Sequence, residues 1–176
     1  MAEEFLDIVD EEDKPVGKTT RNDVRKNALL HRVSLIVIVN ENGEFFVQKR
    51  STKKDIFPGY WGLGVAETVE SGERYEEAGS RGLKEELGIS VLRMDLIHSF
   101  QFRLNYRSPN HNVNYKVYKV FFNKVLDNQR LVLQEDEIDS AEFIGKEDIK
   151  KLITSGDFHP GSSMIFEKYI KMKELE

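Results

Sequence analysis

The sequence predicts an α/β chain, a mixed sheet with helices packed against it, on three observations. Short apolar runs rich in β-branched and aromatic residues recur along its 176 residues, one long charged helix interrupts them near the middle, and two helical segments follow the last of them.

Leu6 to Val9 and Val16 to Thr19 flank an acidic turn and read as an edge hairpin within residues 5–20. Asp23 to Leu30 reads as a short helix. Val33 to Val39 and Phe45 to Lys49 are strands joined through Asn42-Gly43, a pair that favours the tight turns of hairpins. Ser51 to Gly59, with Pro58-Gly59, is loop. Residues 65–73, VAETVESGE, are a strand followed by Ser71-Gly72, which turns the chain and is expected to cap a helix over Glu73 to Leu87. Arg93 to Tyr106 and Val113 to Lys124 are long strands around the polar loop RSPNHN. A strand at Ser140 to Ile144 precedes helices at Lys146 to Ile153 and Ser163 to Met172, the helical region 146–172.

A chain of this length buries roughly 70% of the surface its unfolded form exposes, so a single domain over 1–176 suffices, and no repeat or low-complexity linker marks a boundary. The net charge of −5 gives no general attraction to nucleic acid polymers or acidic membranes, so an anionic ligand has to be met by local cations. Without cysteine there are no disulfides, thiolate metal sites or cysteine nucleophiles. The start MAEEFLDIVDEEDK is acidic where a signal peptide is basic and then apolar, and the apolar run Leu35 to Val39 is too short to span a bilayer. A soluble, cytoplasmic protein is expected.

The charges of the central helix carry the functional signal. Glu73, Glu77, Arg81 and Glu85 recur every four residues along one stripe, with Glu86 beside it. Stacked carboxylates repel one another unless a cation turns them into ligands, and hard oxygen donors suit Mg2+ or Mn2+. A solvated helix face with a few ion pairs is the reading that charge alone leaves open.

Taken with the strand and turn before it, the run resembles the Nudix box: Gly, five residues, Glu, seven residues, then Arg-Glu-aliphatic-x-Glu-Glu-x-Gly-aliphatic. Glu73, Arg81, Leu83, Glu85, Glu86, Gly88 and Ile89 fall on that pattern within the box region 67–89. Two positions depart from it. Glu67 stands at the first glycine, and Gly82 stands at the glutamate after the arginine, which in the family is a metal ligand or the general base. The resemblance implies a Nudix-type alpha/beta/alpha sandwich with a mixed sheet.

Beyond the box, HRVSLIVIV, FFVQKRSTKKDIFPGYW and LQEDEIDSAEFI resemble a subgroup of Nudix hydrolases related to the type I isopentenyl diphosphate isomerases. The isomerase reaction itself is disfavoured. Ala66 and Thr68 stand where those enzymes have a cysteine and a histidine, and Asn114 and Lys116 where they have glutamates, so that of that machinery only His31 and Lys54 remain. His31 otherwise reads as a structural residue before an apolar strand, and Trp61 as a core residue.

For a working member, the resemblance implies water attack on a phosphoanhydride of a nucleoside diphosphate linked to another group, with a small-molecule diphosphate as substrate. Glu85, Glu86 and the Ala66 carbonyl are the expected metal ligands, Glu73 and Arg81 a structural ion pair, and Glu86, Glu67 and Glu135 the catalytic carboxylates. Glu137 reads rather as the start of a strand. Arg50 and Lys54, with Lys53, are cations suited to a diphosphate, and a plain surface role stands equally beside that. Glu67 is a candidate to restore the carboxylate that Gly82 removes. A second class remains open. Gly79 and Gly82 inside the helix each cost about 1 kcal/mol relative to alanine, as in a frame kept for phosphate or partner binding rather than turnover.

Overall fold

A computed structural model of the chain describes residues 3–54, 57–90, 95–104, 111–122, 133–134 and 136–173. In order the elements are β1 (Phe5–Val9), β2 (Pro15–Thr20), α1 (Arg21–Asn27), β3 (His31–Asn40), β4 (Phe45–Arg50), β5 (Trp61–Leu63), β6 (Val65–Thr68), α2 (Tyr75–Leu87), β7 (Asp95–Leu104), β8 (His111–Phe122), β9 (Ile138–Ile144), α3 (Lys146–Ser155) and α4 (Pro160–Lys173). The chain forms two compact units, Met1–Ile36 with Ala66–Gly82 and Val91–Lys119, and Val37–Val65 with Leu83–Ser90 and Val120–Glu176.

In the first unit β1 and β2 form the expected hairpin, in register from Phe5↔Thr20 and bulged at Ile8/Val9. Its acidic turn is closed by Asp10, whose Oδ1 accepts from the Glu12 and Lys14 amides at 2.9 Å each. The helix expected from Asp23 starts earlier, at Arg21, because Thr20 caps it by accepting the Asp23 amide at 3.2 Å. It ends early as well, where Ala28 turns left-handed at φ 50°. β7 and β8 are antiparallel, from Asp95↔Lys119 to Leu104↔His111. β8 therefore takes in the last two residues of RSPNHN, while residues 105–110 lie outside the described residues. Leu6, Val24, Val33, Leu35, Ile36, Val69 and Ala78 supply buried apolar surface in this unit.

β4 organises the second unit. It pairs antiparallel with β9 (Phe46↔Phe143), with β5 (Val47↔Leu63) and with the end of β3 (Val39↔Phe45). The β3–β4 turn is the one Asn42-Gly43 predicts, with Gly43 at φ 74° and Asn40 Oδ1 accepting from the Asn42 and Glu44 amides. β5 falls in a segment without an expected strand, since three residues are too few to show a period. Trp61 on it is only half-buried, correcting its reading as a core residue; its main chain is held from the other side by the 157–159 segment. Against β4, Phe45 meets Phe166 and Tyr169 edge-on at 5.4 and 5.5 Å. Each fully buried side chain of this size contributes about 1.5–3 kcal/mol. α4 starts at Pro160, ahead of the expected Ser163, because proline suits the first helical position and His159 Nδ1 accepts the Gly161 amide at 3.1 Å. Among the described residues no helix is long and apolar enough to cross a membrane.

Candidate active site

The central helix begins two residues later than its charge pattern implies. Glu73 and Arg74 precede it, and Ser71 does not cap it: the Ser71 amide donates to Phe5 O at 2.8 Å and the Gly72 amide to Asp7 Oδ2 at 3.2 Å, docking the turn on β1. Capping falls to Arg74, whose carbonyl accepts the Ala78 amide at 3.0 Å and whose own amide donates to Glu77 Oε2 at 2.9 Å, one half of a capping box. Tyr75 fastens this first turn. Its hydroxyl donates to Asp13 Oδ1 at 3.0 Å, and the same oxygen accepts from Arg32 Nε at 2.8 Å. Burial, and then the Asp13 charge, push the Tyr75 hydroxyl far above the ordinary tyrosine range.

Glu73, outside the helix, nevertheless makes the expected ion pair. Arg81 donates from Nε to Glu73 Oε1 at 3.1 Å and from Nη2 to Oε2 at 3.0 Å, a bidentate fork, and from Nη2 to the Thr68 carbonyl at 2.9 Å. The hydrogen bonds to Glu73, against the opposing effect of burial and with the charges of Glu67, Glu73 and Glu70, raise the Arg81 pKa above its ordinary value. Glu67, on β6, is the second carboxylate on this guanidinium. Its Oε1 lies 3.3 Å from Arg81 Nη1 and accepts the Thr68 amide at 2.9 Å. Ala66, expected to offer its carbonyl to a metal, is exposed on the same strand.

The C-terminal end of α2 carries the glutamate pair. Gly88, at φ 70°, turns the chain out of the helix, with the Gly88 and Ile89 amides donating back to Lys84 O and Leu83 O. Of the two expected metal ligands, Glu85 is exposed and Glu86 half-buried. Glu86 faces β4, where Gln48 Nε2 donates to its Oε2 at 3.0 Å. Gln48 is only 9% exposed, and among the described residues its Oε1 has no hydrogen-bond partner. An ionised carboxylate only accepts, so the amide nitrogen must face it and the oxygen is left over. The Gln134 amide also donates to Glu86 O, at 3.2 Å.

The cations after β4 meet an acidic segment. Lys54 pairs with Glu137, and Lys53 with Asp136 at 2.9 Å, which holds the Asp136 carboxyl below the usual aspartate range. Glu137 lies in the turn one residue ahead of β9, where it pairs with Lys54, rather than in the strand itself. Glu135 lies outside the described residues. His31 is buried, with Nδ1 hydrogen-bonded to Leu29 O at 3.0 Å, a structural position.

Among the described residues no three His, Asp or Glu side chains are grouped to hold a cation. Magnesium asks for less: one or two carboxylates, completed by water and substrate phosphate oxygens, satisfy it. Sequence reasoning missed Gln48 and the Tyr75–Asp13–Arg32 cluster. Nothing in the sequence marks Gln48, which stands where β4 passes from apolar to basic residues, FFVQKR.

Residues 29–162 match the NUDIX domain family. The uncharacterized Nudix hydrolase PA4841 of Pseudomonas aeruginosa is 32% identical over 167 residues, covering 95% of this chain and 94% of that protein. Among solved structures, DR0079 from Deinococcus radiodurans superposes with a TM-score of 0.70 at 23% identity, covering 94% of this chain and 98% of its own. The NUDIX domain of Shewanella oneidensis NrtR, solved with ADP ribose, gives a TM-score of 0.62 at 13% identity, with 80% of this chain and 86% of its own covered. The match of residues 29–162 to the family model, with the likeness of 95% of the chain to a Nudix hydrolase, shows that this chain belongs to the Nudix hydrolase family.

Proposed function

We propose that the chain hydrolyses a phosphoanhydride bond of a nucleoside diphosphate joined to a second group, in the cytoplasm, with Mg2+ or Mn2+ bound at Glu85 and Glu86. The observation that carries this is the anchoring of Glu86 by a buried glutamine at the box position for a metal-binding carboxylate. ADP ribose, the ligand of the NrtR domain, belongs to the same chemical class.

A bound divalent cation would neutralise charge building on the phosphates and lower the pKa of an attacking water. The chain's own residues do the rest. Gln48 holds Glu86 in one orientation, and the Arg81–Glu73 fork fixes the loop before α2 to its second turn. Arg50 and Lys54 receive the diphosphate, Lys54 by exchanging Glu137 for a phosphate oxygen. The box departures favour a second reading, a Nudix frame that binds a phosphate ligand without turnover. One experiment separates the two: Mn2+ titration followed by a phosphate-release screen over nucleoside diphosphate derivatives. The hydrolase binds Mn2+ and turns over, and Glu86→Gln lowers turnover about 100-fold with an unchanged melting temperature. Absence of both metal binding and turnover leaves the binding frame.

A further inference from the structure

The two departures from the box pattern, Glu67 and Gly82, lie fifteen positions apart in sequence and against each other in space. A Cβ built on Gly82 would stand 2.9 Å from Glu67 Cβ and 3.2 Å from both its Cγ and Oε2. The first of these is closer than real Cβ atoms approach, and it involves the stiff root of the side chain rather than its mobile end. Position 82 is therefore glycine because Glu67 lies on it. The Glu67 side chain is 13% exposed and held at both ends. Its root rests on Gly82, and its Oε1 is fixed by the Thr68 amide and by Arg81 Nη1. Its Oε2 is the oxygen set over the backbone of position 82. Charge balance alone does not explain this, since Arg81 already has the bidentate carboxylate of Glu73.

We propose that Glu67 supplies from β6 the carboxylate that the box pattern places at position 82 of α2, so that the exchange of glycine and glutamate between the two positions keeps a metal-binding carboxylate on that face of the helix. The inference rests on the hydrolase reading given above.

Three variants test it, each followed by Mn2+ affinity, turnover and melting temperature. Glu67→Gln keeps the packing on Gly82 and removes only the charge; it is expected to weaken Mn2+ binding about 10-fold or more and to lower turnover about 100-fold. Glu67→Gly is expected to lose as much. The double variant Glu67→Gly/Gly82→Glu, which restores the box order, is expected to regain Mn2+ affinity and turnover to within about 10-fold of the parent. If Glu67→Gln lowers the melting temperature but leaves Mn2+ affinity and turnover at parental levels, Glu67 is only a structural partner of Arg81 and the inference is overturned while the hydrolase reading stands. A folded double variant no better than Glu67→Gly overturns it equally. A parent protein that neither binds Mn2+ nor turns over any diphosphate overturns both.

Discussion

Gln48 makes one hydrogen bond to a charged group, and its other polar atom is buried without a partner among the described residues. A buried acceptor lacking a donor costs about 1–3 kcal/mol, so this glutamine is poor as a core residue and is explained by Glu86. Gln48→Leu separates the two roles. It removes the unpaired oxygen at similar volume, and the melting temperature is expected to hold or rise. Glu86 loses its anchor, and turnover is expected to fall 10- to 100-fold, as is usual when the support of a metal ligand is removed. A urea melt and a kcat measurement on the same sample check this; unaltered kcat would reduce Gln48 to filler. Such a contact joins strand and helix residues 38 positions apart, and no periodicity in either segment announces it. The charges of Arg81, Glu85 and Glu86 were legible because each is fixed by spacing within one helix, and Glu73 because it continues that spacing just ahead of the helix.

Among the elements, α2 shows where sequence reading works and where it stops. Its course follows from the charge and apolar period, and its C-terminal end from Gly88. Its start does not, because Glu73 continues the four-residue spacing while its side chain is taken by the Glu70 amide at 2.9 Å and by Arg81. The helix instead begins where Arg74 and Glu77 close a cap and Tyr75 finds Asp13, a residue 62 positions earlier. Tyr75→Phe deletes that hydrogen bond and leaves the ring in place. Since Asp13 is charged, the loss is expected to be about 1.5–3 kcal/mol, read from the urea midpoint. Arg32 still holds Asp13 in the variant, which keeps the loss from reaching that of an unpaired buried charge. The strands β1 to β4 were legible in outline, whereas β5 was not, because its three residues carry no alternation and are held by partners from distant segments.

For the molecule as a whole, the directions of the pKa shifts set the pH range of stability. Glu77 lies below its ordinary value because the Arg74 amide and then its guanidinium hydrogen-bond to it; Glu147 is lowered by Lys150, and Asp136 by Lys53. A carboxylate whose folded pKa is depressed contributes stability above its unfolded value and loses it as pH falls through the folded one. Stability is therefore expected to decline as pH drops below 4.5, the ordinary value for Glu77 and Glu147. On the basic side Lys151 is raised by Asp148, so its contribution is present below 10.5 and fades as pH climbs past that value. A plateau between these limits is the expected profile of urea midpoint against pH. These groups are exposed, so 1 M salt should shrink the acid limb, and the double variant Glu77→Gln/Glu147→Gln should flatten it further. An acid limb unchanged by both would assign acid sensitivity to other carboxylates.

The closeness of Glu67 to Gly82 also constrains the history open to this sequence. A chain with Glu67 in place cannot accept glutamate, or even alanine, at 82 without moving a strand side chain at its root. Reversion to the common box order by the step at 82 alone passes through an overpacked intermediate. The passable route changes 67 first and so goes through a form with glycine at both positions. Each order thus shelters itself from the other, and relatives that carry glutamate at the position of Glu67 are expected to carry glycine at that of Gly82.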